Sequence, residues 1–97
     1  MIVHIVMFKF KDENKEANIL EMKRKLKALL GLVPTLKSME VGIDFSKSPR
    51  SFDLSLYSTF DNKASLEAYA IHKEHLKVVE FAKEVTVESK VVDYIRG

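Results

Sequence analysis

The chain contains no cysteine and no tryptophan, only two prolines and three glycines. Each scarcity removes a class of answer. Without cysteine there is no disulfide framework, no thiolate nucleophile and no thiolate-bound metal. Without tryptophan, and with a formal net charge of only +2, neither a base-stacking platform nor the clustered positive field of a nucleic-acid surface is indicated. No apolar run approaches the roughly 20 residues that span a bilayer. The opening Met1-Ile2-Val3-His4-Ile5-Val6-Met7-Phe8-Lys9 lacks a basic leader and a small-residue cleavage site. These absences lead to the expectation of a cytoplasmic protein with no nucleic-acid or membrane partner. There is no repeat, low-complexity tract or long linker, and 97 residues suit a single domain, 1–97.

What is present is periodicity. Hydrophobic residues make up 46% of the chain and charged residues 31%, the balance of an ordinary globular domain. Ile2 to Lys11 predicts a strand that is apolar on both faces, with His4, Val6 and Phe8 on one side and Val3, Ile5 and Met7 on the other. Asp12 to Asn14 offer a helix start. Ile19, Met22, Leu26, Leu29 and Val33 then recur at helical spacing, and Gly31 and Pro34 are expected to end that helix. Leu36–Phe45 and Phe52–Phe60 alternate around a polar turn, predicting a hairpin. Asp61 is a plausible N-cap for a short helix carrying Leu66, Ala68 and Tyr69, and a second helical stretch runs from Glu74 to about Val85. A last strand is expected from about Val87 to Ile95.

The order β-α-β-β-α-β, with right-handed crossovers, implies an α+β, ferredoxin-like antiparallel sheet with both helices on one face. The opposite face is then bare. If His4 points toward the helices, Val3, Ile5, Met7, Tyr57, Val92 and Tyr94 lie on that bare face. Fully burying side chains of this kind contributes roughly 1.5–3 kcal/mol each, so a homodimer packed sheet against sheet is expected.

All three histidines of the chain, His4, His72 and His75, are candidates for one site together with Tyr69. Imidazole titrates near ~6.5 and phenol near ~10, so such a group moves protons or orients a carbonyl. The spacing carries a geometric condition. On an unbroken helix Tyr69 and His75 lie about 240° apart and do not converge. A break near Ile71–Lys73 is needed to bring them together. Met22, Leu26, Val6, Phe8, Leu56, Val78, Val79 and Val91 are expected to wall the space around the histidines, forming an apolar pocket with a few polar points or else filling it solid. His4, His72 and His75 could supply three imidazoles to a metal such as Zn²⁺, but the one carboxylate at useful spacing, Glu74, points away from both histidines on a helix, so no metal is expected; no cofactor is expected either. The basic run Lys23-Arg24-Lys25-Leu26-Lys27 is expected to be a solvated helix face.

An HxVxFKFK-like opening strand with His4, Pro34 after the first helix, Glu40-Val41-Gly42, Ala68-Tyr69 followed by His72-x-x-His75, and Val92-Asp93-Tyr94 together resemble the stress-responsive α/β-barrel domain (Dabb) family. The resemblance covers essentially the whole chain. It implies a dimeric α+β barrel with a small-molecule pocket between sheet and helices in each subunit. It also implies a polyketide-cyclase-like role for Tyr69 and His75, since one plant member is a cyclase that uses the corresponding pair, with His4 and His72 supporting. At Lys73 the chain departs from the family, where proline commonly follows the first histidine. Haem-degrading relatives of the barrel fold rely on a tryptophan that is missing here. Two readings stay open: a small-molecule binding or processing domain for a hydrophobic carbonyl compound, and a non-catalytic oligomeric protein with a packed interior.

Overall fold

Alternating side chains with period two can bury one set and expose the other, and a computed structural model of residues 1–97 shows which set goes where. The elements are β1 (Ile2–Phe10), α1 (Lys15–Leu32), β2 (Ser38–Ile43), β3 (Leu54–Phe60), α2 (Lys63–Ala70), α3 (Lys73–Val85) and β4 (Thr86–Ile95). The four strands form one antiparallel sheet in the order β2-β3-β1-β4. The helices cover one face, giving the ferredoxin-like arrangement with its second helix broken into α2 and α3. No helix is long and apolar enough to cross a membrane.

The core lies between that face and α1. Ile19, Met22, Leu26 and Leu29 present the apolar stripe of α1 to Leu54, Leu56 and Phe60 of β3 and to Ile2 and Phe10 of β1. Register assigns the rest. Ile2, His4, Val6 and Phe8 pair with Ile95, Asp93, Val91 and Ser89, and paired residues of adjacent strands share a face. His4 therefore points to the helix side.

Several element boundaries differ from the sequence reading, each for a local reason. The first helix runs through Gly31 and ends where Val33 turns extended (φ −112°, ψ 108°), as a residue before proline prefers; Pro34, not Gly31, is the stop. β2 is shorter than Leu36–Phe45. The Asp44 carboxylate accepts the Lys47 N–H (2.7 Å) and turns the chain out of the strand, leaving Phe45 95% exposed. Asp61 is not the cap of α2. Asn62 is, its Oδ1 accepting the Ser65 N–H (2.9 Å), while Asp61 pairs with Lys37 (3.0 Å).

The helix-free face of the sheet carries Ile5, Met7, Tyr57, Val92 and Tyr94, of which Met7, Val92 and Tyr94 are exposed at 41, 53 and 43%. Val3, expected among them, is instead fully covered within the single chain. It lies between its register partners Thr59 and Tyr94, and on the same face the Arg96 guanidinium donates to the Tyr57 hydroxyl (2.6 Å).

Candidate functional site

The break that the sequence required is present. The helix α2 ends at Ala70, Ile71 leaves helical geometry (φ −99°, ψ 0°), and His72 is extended (φ −66°, ψ 137°) before α3 restarts at Lys73. The agent is His72 itself: its Nδ1 accepts the Glu74 N–H (3.1 Å) and caps α3. An imidazole thus satisfies one of the orphan first-turn donors and holds the bend without the proline that Lys73 replaces. Serving as a cap, His72 does not line the hollow described below.

The bend folds the first turn of α3 back over the last turn of α2. Tyr69 and His75 meet with ring centroids 4.3 Å apart. The Tyr69 ring also packs on Phe60 at 5.1 Å and faces His4 at 6.3 Å. Tyr69, His75 and His4 therefore converge, one from each of α2, α3 and β1.

Each of the three has its own electrostatic setting. Tyr69 is 1% exposed, and burial pushes its phenol well above the usual value, so it stays protonated. No protein group of the chain hydrogen-bonds its hydroxyl. A buried hydroxyl left unpaired costs about 1–3 kcal/mol. Ring contact between Tyr69 and His75 therefore does not satisfy the hydroxyl. His75 is half-buried and burial lowers its pKa, against an opposing hydrogen bond to the Ala70 carbonyl and with further lowering from His4 and His72. A neutral ring donating Nδ1–H to the Ala70 oxygen (3.0 Å) keeps a lone pair on Nε2. The third ring, His4, is paired through Nδ1 with the Asp93 carboxylate directly across the β1–β4 ladder. A carboxylate on one nitrogen fixes the orientation of the ring and leaves Nε2 as its free nitrogen.

These groups stand at one end of a hollow of about 390 Å³ between the sheet and α3. Val6, Phe8, Leu26, Leu56, Val78, Val79 and Val91, seven of the expected wall residues, border it, and His4 and His75 close one end. Met22 does not border it. It is fully buried in the core, because its helical position points under α1 toward the middle of the sheet. Tyr69 sits behind the two histidines rather than on the wall itself. The outer side of the hollow is open along β4, where Val91 is 62% exposed.

Five contributors were missing from the sequence reading. Asp93 was quoted only as part of a motif; its pairing with His4 depends on strand register, although an acidic residue among apolar neighbours in a final strand was a usable signal. The Ala70 carbonyl, freed by the end of α2, carries no side-chain signal at all. Lys83, Thr86 and Ser89 form the opposite end of the hollow, and nothing in their spacing announced it.

Comparison with known proteins agrees with this architecture. The model of the family described as Stress responsive A/B Barrel Domain matches residues 2–96. A stress-response A/B barrel domain-containing protein of Arabidopsis thaliana is 32% identical over 98% of this chain and 36% of its own length. This chain spans about a third to a half of the length of the curated relatives it matches. Among solved structures, a dimeric protein of unknown function with a ferredoxin-like fold from Bacteroides fragilis is 30% identical, with a TM-score of 0.87 over 96% of this chain and 93% of that one. A hydroxynitrile lyase from Passiflora edulis shares the fold at TM-score 0.87, covering 99% of this chain and 93% of that one, with 19% identity.

Proposed function

The chain belongs to the stress-responsive A/B barrel domain family, and from that premise we propose that it binds a small hydrophobic carbonyl compound and performs acid/base chemistry on it. The observation that carries this reading is the neutral His75 imidazole at one end of an apolar hollow, backed by the buried Tyr69 phenol whose hydroxyl has no partner within the chain.

In the proposed chemistry the ligand's carbonyl reaches in past His4 and His75, so that its oxygen accepts a hydrogen bond from the Tyr69 hydroxyl behind them. Nε2 of His75 takes a proton from the carbon next to that carbonyl, and the electron pair moves onto the oxygen as an enolate. His4, held by Asp93, orients the bound group. Such an enolate is the nucleophile that a polyketide-cyclase-like ring closure needs, which is the finer form of the proposal. A dimer formed through the helix-free sheet face belongs to the same reading. It is supported by the exposed Met7, Val92 and Tyr94 and by the dimeric Bacteroides fragilis protein.

Exchange of carbonyl-adjacent protons for deuterium, followed by NMR over a panel of apolar ketones, aldehydes and β-oxo thioesters, tests the chemistry. Exchange by the wild-type chain, lost in His75→Ala with the fold intact, is the expected result. Exchange that persists in His75→Ala dismisses the role of His75. Absence of any binding or exchange favours the second reading, a non-catalytic oligomeric protein whose hollow is only a packing remnant.

A further inference from the structure

Resting on the reading of the hollow as a ligand site, we infer that its ligand is amphipathic, with an anionic group at the end remote from the carbonyl, received by Lys83. The hollow is polar at both ends and apolar between. At one end stand His4 and His75; at the other, Lys83, Thr86 and Ser89. The second end is unexplained by carbonyl chemistry, and a purely apolar ligand would leave it without a counterpart.

Two independent rulers give the distance between the ends. His4 and Phe8 are separated by four residues of β1, or about 13 Å at the strand rise, and Phe8 pairs with Ser89. His75 and Lys83 are separated by eight residues of α3, or about 12 Å at the helical rise. Sheet and helix therefore run in step, each carrying a histidine at the head of the hollow and a polar or charged group at its foot. The span fits a medium-length chain with a carbonyl at the head and a carboxylate at the foot, the chemistry of an oxo acid.

Two of the groups at the foot, Ser89 and Lys83, have donors available for such a carboxylate, while the hydroxyl hydrogen of Thr86 is already committed. The Ser89 side chain is exposed. Thr86 donates its hydroxyl hydrogen to the Ala82 carbonyl (2.7 Å), which fixes its orientation. Lys83 has one partner, Glu80 at 3.7 Å, and both side chains are largely exposed (70 and 74%). A loose surface pair of this kind contributes little, so an arriving carboxylate competes with it readily. The positive charge of Lys83 in the last turn of α3 also complements the helix dipole; the test separates that structural role from ligand recognition.

The probes are oxodecanoic acid with its ketone at the penultimate carbon, and its methyl ester, titrated by calorimetry or NMR against the wild-type chain and Lys83→Gln. The acid is expected to bind the wild type roughly three- to fivefold more tightly than the ester, the advantage of an exposed ion pair, and to lose that advantage at high salt. In Lys83→Gln the two probes are expected to bind alike, with the affinity of the ester unchanged. If acid and ester bind the wild type equally, or if Lys83→Gln leaves their ratio intact, the anionic end is refuted while the hollow remains a ligand site. If neither probe binds, both the anionic end and the underlying reading fall.

Discussion

Replacing Tyr69 by phenylalanine removes one oxygen atom and nothing else, at a site where that atom is buried and unpaired within the chain. The ring keeps its contacts with Phe60, His4 and His75, so no cavity opens. A buried hydroxyl without a partner costs about 1–3 kcal/mol, and Tyr69→Phe removes that cost. The variant is therefore expected to be more stable by about 1–2 kcal/mol. For a domain of this size each kcal/mol moves the melting temperature by roughly 4–8 °C. The assay is thermal and denaturant unfolding of both chains at matched protein concentration, since dimerisation makes the midpoint depend on concentration. The same variant should lose carbonyl-adjacent proton exchange, a gain in stability at the expense of activity. A further readout follows from the raised phenol: wild type and Tyr69→Phe should give the same phenolate absorbance up to the alkaline unfolding transition. Destabilisation of Tyr69→Phe by about 1 kcal/mol or more would refute the reasoning, because the hydroxyl would then have a native partner and be a structural group.

Lys73 occupies the first position of α3, after an extended His72, where proline fits without losing a helical hydrogen bond. Lys73→Pro should stabilise by about 0.4–1 kcal/mol and His72→Ala, which deletes the cap, should cost about 1 kcal/mol; a destabilising Lys73→Pro in a urea titration contradicts this account of the bend. Burial holds His75 below the ordinary imidazole value, so the unfolded chain takes up a proton near pH ~6.5 that the folded chain binds only at lower pH. Folded stability should accordingly fall as pH drops below about 6.5, more steeply in the wild type than in His75→Gln, and equal melting-temperature slopes would count against it. On the helix-free face, Val92→Lys places a charge in the proposed dimer interface, where an unpaired buried charge costs several kcal/mol. Sedimentation should show a dimer at least about tenfold weaker, and an unchanged dimer would move the interface elsewhere.

Particular residues show where sequence reasoning reaches and where it stops. The stripe Ile19-Met22-Leu26-Leu29 and the alternation of Leu54-Leu56-Phe60 encode their elements directly, because burial of one face imposes a period on the chain. Element order and the handedness of crossovers then leave few ways to assemble the sheet. That the chain must bend between Tyr69 and His75 was also legible, as a consequence of helical geometry. How it bends was not: capping by His72 depends on one ring nitrogen meeting one backbone amide, a distance that composition does not specify.

By itself, then, the sequence determined the ferredoxin-like architecture and the need for a bend between Tyr69 and His75, while register decided that His4 lies on the helix side of β1. Tertiary structure alone decided that Asp93 meets His4, that the Tyr69 hydroxyl is left without a partner, that Met22 belongs to the core and that Lys83 stands at the far end of the hollow. The physical reason is one of range. Local periodicity is written in neighbouring residues, whereas register, burial and the pairing of single polar atoms arise only when strands and helices distant in the chain are packed together.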